Sequence, residues 1–489
     1  MTGQAHHGKL TAGTDEMAAN PDKLWKEAQR AKARADWPSA IKYLNLLIKL
    51  APKDPKFRHL VGICQRNAGN PRAAADALDA ALALAPADPG LNFDAAMLAR
   101  ETGQVERALV LLQNTINAGG GIGITANIER SRLLMSLGRS REAAASLDEL
   151  LAKPGLSVAD SAEAAVLRAL LALSMGDLAR GWQLYGQRFR APASMASLAR
   201  HDFGLPPIQG QIPGTEKIWV WPEQGVGDEI LFASVLADAG KAGWRIKLGC
   251  YRRNLSLFRR SFTDLGPNLE IVAVEGLTAA DLTDCGRQMP LADLVAVLRP
   301  DLAAFGTPHA YLRPDAEAVA AIRARYDAAW PGKRRIGISW RSSSAGPKQK
   351  KAVALAALAR TVAAPDRVLI DLQYGDTAAE RAALLRDHGL ALYRDTAIDP
   401  LGDSDPAAAQ MAALDAVITI SNTAAHIAGA IGAPGLVLLP ADDGLLWYWL
   451  REGQTPLWYP RLRLLRQQTP GDWSPVLAAL PDQLSNIIV

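Results

Sequence analysis

Val417-Ile-Thr-Ile-Ser-Asn-Thr-Ala-Ala-His-Ile-Ala-Gly-Ala-Ile-Gly-Ala-Pro-Gly-Leu-Val-Leu-Leu439 is the stretch whose reading decides the fold. Val417 to Ile420 is a short β-branched apolar run, and Ser421, Asn422 and Thr423 offer helix-capping side chains. Ala424 to Ile431 is a helix of small residues, and Gly435 to Leu439 reads as the next strand. The result is a β-turn-α-turn-β unit. Its polar residues fall where strand hands over to helix, and there unpaired N–H groups and the positive end of the helix dipole suit a phosphate. A ligand-free βαβ element of a parallel sheet has the same pattern, and on these residues alone it is the favoured reading. No charged residue lies between Asp415 and Asp442, but Thr419, Ser421, Asn422, Thr423, His426 and Pro434 interrupt the run, so no membrane span is expected.

Upstream, Arg335 to Trp340 reads as a strand, and Arg341-Ser342 through Lys350-Lys351 is the loop leaving its C-terminal end, the edge where open α/β sheets bind ligands. Its hydroxyls, glycine and four cations fit an anionic leaving group, although a solvated basic loop has the same composition. Arg367 to Leu372 is another strand, leaving through Gln373-Tyr374-Gly375-Asp376. Asp403-Ser404-Asp405 matches a metal-binding DxD, but in a loop before a helix it reads more naturally as capping. Trp447-Tyr448-Trp449 and Trp458-Tyr459 have the character either of ligand-stacking aromatics or of core and repeat-docking ones.

Further upstream, Ile218 to Trp221 is a strand, and Pro222-Glu223-Gln224-Gly225-Val226-Gly227 is a glycine-bearing turn. Asp228 is then expected to start a helix over Asp228–Ala239. With Ile230 in the third glycine's place, the dinucleotide signal is weak. Asp228 would repel a phosphate but suits proton abstraction from a hydroxyl. A first-turn carboxylate serving only as a cap, worth about 1 kcal/mol, weighs equally. Arg245–Cys250 and Glu270–Glu275 are further strands, Met289–Leu294 lies near another crossover, and Ala316–Tyr326 is a connecting helix. Strands alternating with helices imply parallel sheets covered on both faces.

The first 190 residues differ. Pro52 and Pro86 stand 34 residues apart, and with that spacing Ala28 aligns with Gly62, Ala40 with Ala74, and Leu44 with Leu78. Ala96, Ala108 and Leu112 continue the pattern. Ala143, Leu147 and Gly155 continue it after the break Gly119–Gly123, and a last helical pair spans 162–174 and 178–190. Stacked helical pairs of this kind present a concave surface for a peptide or helix, so a protein partner is expected. The resulting divisions are a polar tail over 1–20, helical repeats over 21–190, a Pro/Gly-rich linker over 191–215, and two nucleotide-fold halves over 216–330 and 331–489.

At 489 residues the chain holds two or three domains. Fifty-four Lys+Arg against fifty Asp+Glu leave +4, too slight and dispersed for nucleic acid. Cys64, Cys250 and Cys285 have no metal-ligand spacing and read as buried thiols in a reducing compartment. With no apolar leader at the N-terminus, a cytoplasmic location is expected.

Glu223-Gln-Gly-Val-Gly-Asp-Glu-Ile230, Ile336–Trp340, Leu372–Asp376, Ser421–Ala430 and Trp458-Tyr-Pro with Leu465-Arg-Gln467 stand in this order. On these motifs the chain resembles the bacterial tetratricopeptide-repeat glycosyltransferases, whose GT-B domain is similar to heptosyltransferases and whose better-understood members modify flagellin. The resemblance implies an α-solenoid followed by two Rossmann-like halves. It also implies metal-independent, inverting transfer from a nucleotide sugar to Ser or Thr of a protein held by the repeats, with no further cofactor. It points to Asp228 as base and to Glu223, Gln224, Gly225 and Gly227 as an acceptor-side loop. Arg341, Ser342, Lys350, Lys351, Ser421, Asn422, Thr423, Ala424 and His426 would be donor-phosphate contacts, and Gln373 and Tyr374 contacts to base or sugar. Many relatives carry Asp where Ser421 stands and Arg where Tyr448 stands. A non-catalytic scaffold with a degenerate GT-B domain is the competing expectation, and a glycolipid or saccharide acceptor a third.

Overall fold

The computed structural model describes residues 20–191, 203–208, 216–342 and 351–488. They form two compact units, one running to Leu134 and including Arg141–Gly155, the other comprising Met135–Ser140 and everything from Leu156 onward.

The first unit is built of antiparallel helix pairs, Pro21–Ala33 with Trp37–Leu50, Pro55–Asn67 with Pro71–Leu82, and Pro89–Glu101 with Val105–Ala118. Each pair opens on a capping side chain followed by proline. Asn20, Asp54 and Asp88, spaced at 34, accept from the backbone N–H of Lys23, Lys56 and Leu91 at 3.0, 2.9 and 2.8 Å. The proline at the first helical position needs no N–H partner, so the cap fixes where each unit begins. Ala28, Ala40, Leu44, Ala74, Leu78, Ala96, Ala108 and Leu112 are all buried, as the period requires. Gly62 packs so tightly that a Cβ there would lie 2.6 Å from Leu78 Cγ. The glycines at 119–123 make a sharp turn: Gly119 has φ 76° and the next helix starts at Gly120.

The second unit opens with the helical pair Val158–Ser174 and Leu178–Tyr185, extended by a 3-10 turn over Gly186–Arg190. The sequence divisions end the helical part at 190, but the compact unit begins at 156. Trp182, Tyr185 and Arg188 are buried, and Trp182 and Tyr185 share one core with the α/β residues.

Two wholly parallel sheets follow. The first contains β1 (Lys217–Trp221), β2 (Arg245–Cys250), β3 (Leu269–Ala273) and β4 (Arg287–Pro290) in the order β3-β2-β1-β4. The second contains β5 (Arg334–Ser339), β6 (Arg367–Asp371), β7 (Leu392–Tyr393), β8 (Ala416–Ile420), β9 (Gly435–Leu439) and β10 (Leu462–Arg466) in the order β10-β9-β8-β5-β6-β7. β8 and β9 are buried at every position, which is why the opening stretch reads as unbroken apolar runs instead of alternating ones. Chain order reverses on either side of β1 and of β5, and such switch points are where open α/β sheets place ligands, beyond the carboxyl ends of the strands.

Some expected boundaries move. The helix expected over Asp228–Ala239 begins at Val226, breaks into a 3-10 turn at Ala233–Val235 and resumes over Leu236–Lys241. Met289–Leu294 divides into the end of edge strand β4 and the start of helix Leu291–Leu298.

Candidate functional site

The carboxyl ends of β1, β5, β6 and β8 face a cleft of about 290 Å³ between the two sheets. From the first half it is lined by Gly225, Gly227, Asp228 and Arg253; from the second by Ser342, Lys351, Tyr374, Ser421, Asn422 and Thr423, with His426 and Tyr448 behind them.

Asp228 occupies the third position of helix Val226–Phe232, not its start, and its Oδ2 accepts from Gly225 N–H at 3.1 Å. It is therefore a first-turn cap that also lines the cleft. Gly227 is explained by packing. A Cβ there would lie 2.8 Å from His426 Cδ2, so the second glycine of the GxG pair lets this helix meet helix Thr423–Ala430.

Glu229, beside Asp228, is fully buried. Its carboxyl is pushed up to about 8 by burial, against the opposing hydrogen bonds from Asn254 and from Tyr251 N–H. Near neutral pH this group is mostly uncharged, so Asp228 has no strong anionic neighbour in its own turn.

Across the cleft, Asn422 caps helix Thr423–Ala430. Its Oδ1 accepts from Ala424 N–H at 3.0 Å and from the Thr419 hydroxyl at 2.9 Å, while its Nδ2 donates to Ser339 Oγ at 2.8 Å. The N–H of Ala424 is thus taken by the cap, whereas Thr423 lines the cleft. Lys351, almost wholly buried, donates to the Ser421 carbonyl at 2.6 Å and brings a cation to the helix start.

His426 holds no charge here. Burial, followed by the neighbouring charge of Lys351, pulls its imidazole down to about 3. Nδ1 meets the Tyr459 hydroxyl at 2.7 Å and Nε2 the Tyr448 hydroxyl at 3.1 Å, so both ring nitrogens are engaged. The ring stacks on Trp449, whose Nε1 donates to Ser421 Oγ at 2.8 Å. Ser421 and Tyr448 thus flank one buried polar cluster.

Several expected contacts lie elsewhere. The Arg341 guanidinium forks onto Glu380 at 2.9–3.2 Å and donates to Asp376 O, so its charge is balanced away from the cleft. Gln373 is fully buried, and its Oε1 accepts from Ser339 Oγ and from the N–H groups of Trp340 and Arg341 at 3.0–3.1 Å. It braces the end of β5 and does not line the cleft. Glu223 pairs with buried Arg188, and Gln224 donates to Tyr185. Lys350 lies outside the described residues.

Asp403 accepts from Asp405 N–H at 2.9 Å as a cap, and Asp405 pairs with Arg260, so the DxD joins the two halves. Trp447, Tyr448, Trp449, Trp458 and Tyr459 are buried core residues. Within the second unit Trp182 packs edge-on against Trp447 at 5.2 Å, and Tyr448 also borders the cleft. Among the described residues no group of three His, Cys, Asp or Glu side chains is placed to hold a metal, and no helix is long and apolar enough to cross a membrane.

Arg253 is a charged cleft residue that sequence reasoning missed, as it did Pro400, Leu401 and Leu446. It follows β2 in a 3-10 turn, donates to Pro400 O at 2.8 Å and leaves its buried Nε without a partner. The only signal was a doubled arginine after a strand.

Residues 28–89 match the tetratricopeptide repeat family model. Protein FlbA of Caulobacter vibrioides is 30% identical over 369 residues, 72% of this chain, and the chain spans 59% of FlbA's length. Among solved structures, the glycosyl transferase family 9 protein from Veillonella parvula DSM 2008 aligns over 56% of this chain and 99% of its own. Its identity is 13% and its TM-score 0.39. YrrB, described as a tetratricopeptide repeat protein with an unusual peptide-binding site, aligns over 37% of this chain and 91% of its own at 14% identity, with a TM-score of 0.30.

Proposed function

We propose that this protein is a glycosyltransferase that moves a sugar from a nucleotide-sugar donor to a Ser or Thr hydroxyl of a protein acceptor, which the tetratricopeptide repeats hold. The observation that carries the reading is one cleft with Asp228 on one wall and Lys351 beside the capped helix start at Asn422–Thr423 on the other. That pairing suits a displacement. The acceptor oxygen bonds to the anomeric carbon as its proton passes to Asp228, the bond from that carbon to the donor phosphate breaks, and the departing phosphate's charge falls to Lys351 and the helix start. A single displacement inverts the anomeric centre. No metal is assigned a role, and the nucleotide sugar is a co-substrate, with no further cofactor.

The motif resemblance supports flagellin as the acceptor class, and three cysteines without metal-ligand or CxxC spacing support the cytoplasm as the compartment. A scaffold that has lost turnover is favoured by one observation, the use of Asp228 as a cap for Gly225 N–H.

The test is a panel of UDP-, GDP-, ADP- and CMP-sugars scored by thermal stabilisation with and without EDTA, followed by transfer to flagellin. A donor at about a hundred times its Kd should stabilise the second unit by roughly 2.7 kcal/mol. Stabilisation that disappears with EDTA refutes the metal-free mechanism. Donor binding without transfer or slow donor hydrolysis favours the scaffold.

A further inference from the structure

We infer that Tyr185, Arg188 and Tyr251 strap down the turn that presents Asp228, so that the last helical pair, Val158–Arg190, positions the base; the inference rests on the glycosyltransferase reading for its effect on turnover.

The turn Pro222–Gly225 contains one of the few non-glycine residues in left-handed backbone, Gln224 at φ 66°. Such a residue keeps that conformation only when its surroundings over-determine it, and strained backbone of this kind collects at functional sites. Here both ends of Gln224 are held. Its side-chain Nε2 donates to the Tyr185 hydroxyl, and its carbonyl accepts from the Tyr251 hydroxyl at 2.9 Å. The next residue, Gly225, donates its N–H to Asp228. The held conformation of residue 224 therefore passes directly to the carboxylate through one backbone hydrogen bond.

The preceding residue is held as firmly. Arg188 donates through Nε and Nη2 to the two Glu223 oxygens at 2.8 and 3.1 Å, and through Nη2 to Asp293 at 2.7 Å. Neither Arg188 nor Glu223 has appreciable exposed side-chain surface. Burial works against the charge of Arg188, but Glu223 and Asp293 more than offset it and hold the guanidinium protonated. A bidentate buried pair fixes direction as well as distance, and removing one partner would strand the other charge in the core. The guanidinium also lies over the Tyr185 ring at 4.5 Å, so the group that holds Glu223 orients the one that holds Gln224. None of these side chains lines the cleft; they act through the backbone of the turn.

The experiment uses the full chain with Tyr185→Phe and Gln224→Gly. Tyr185→Phe deletes one hydroxyl from a retained ring; Gln224→Gly accepts left-handed backbone without strain but loses the Tyr185 contact. Hydrogen exchange followed by mass spectrometry on peptides covering 222–232 should show the amides of 224–227 exchanging about ten-fold faster in Tyr185→Phe, with the sheets unchanged. With the donor found in the panel, kcat should fall about ten-fold in both variants while donor KM stays within about two-fold, since donor contacts are untouched and only the base is misplaced. Melting of Gln224→Gly should be unchanged or higher. Unchanged exchange in Tyr185→Phe overturns the strap, and faster exchange with wild-type kcat overturns its positioning role. If the wild type turns over no donor, the glycosyltransferase reading fails, and the exchange experiment still decides whether the strap holds the turn.

Discussion

Acidification should destabilise the second unit through His426 in a pH window set by its burial. The imidazole is lowered from 6.5 to about 3 in the folded protein. A group lowered in this way refuses in the folded state a proton that the unfolded chain accepts. Its full contribution is therefore present above pH 6.5 and is lost progressively from there down to about 3. Each pH unit in the window removes up to about 1.4 kcal/mol, so moving from pH 7.5 to 5.0 should cost roughly 2 kcal/mol from this residue alone. Other groups titrate over the same range, so the assay is a comparison. Urea unfolding of wild type and His426→Gln is followed by tryptophan fluorescence at both pH values. The variant loses the stack on Trp449 and will be less stable at each pH, but its loss between the two should be smaller by roughly 2 kcal/mol. Equal pH dependence in the two proteins would show that His426 is solvated or charged, and the neutral cluster with Tyr448 and Tyr459 would be wrong.

Glu229 should act in the opposite direction. Its folded value of about 8 lies above the ordinary 4.5, so stability is present below pH 4.5 and is lost as pH rises to 8. Glu229→Gln should therefore stabilise the protein at pH 8 by up to roughly 4 kcal/mol in urea melts, and by little at pH 4.5. Asp228→Asn should lower transfer by roughly 10²–10⁴-fold with little change in melting; unchanged turnover would leave Asp228 as only a cap. Lys351→Met should weaken inorganic pyrophosphate binding by roughly ten-fold or more in calorimetry, and unchanged affinity would remove Lys351 from the site. Finally, a fragment starting near Leu156 should melt cooperatively, whereas one starting near Glu216 should not, because it strands Glu223 without Arg188 and uncovers Trp447.

Local signals carried most of the fold. The 34-residue spacing, the buried β-branched runs and the Asn422 cap were legible because capping and strand burial involve residues a few positions apart. Strand β10 was seen only as a motif and β7 not at all. Leu462–Arg466 is an edge strand of leucines interrupted by arginines, with no β-branched residue to mark it, and Leu392–Tyr393 is only two residues long. The site was less legible because its outcome turns on distant pairs. Arg341 looked like a phosphate contact until Glu380 took its guanidinium, and Glu223 looked like part of a cleft loop until Arg188, 35 residues earlier, buried it. The neutrality of His426 and Glu229 comes from three-dimensional burial, of which a single polar residue in an apolar segment gives no measure.

The Trp182–Trp447 contact also bears on synthesis. The repeats close by contacts within and between adjacent helices, so each can fold as it leaves the ribosome. The pair Val158–Arg190 cannot finish that way. Arg188 must wait for Asp293, Trp182 for Trp447, and the Ser174 carbonyl for Arg451 N–H, which it meets at 2.8 Å. Until some 270 further residues have been translated, its apolar face stays uncovered, the state in which nascent chains aggregate or recruit chaperones. Slowing translation ahead of residue 447 should therefore lower the soluble yield of the full chain, while leaving that of a repeat-only fragment ending at Gly155 unchanged.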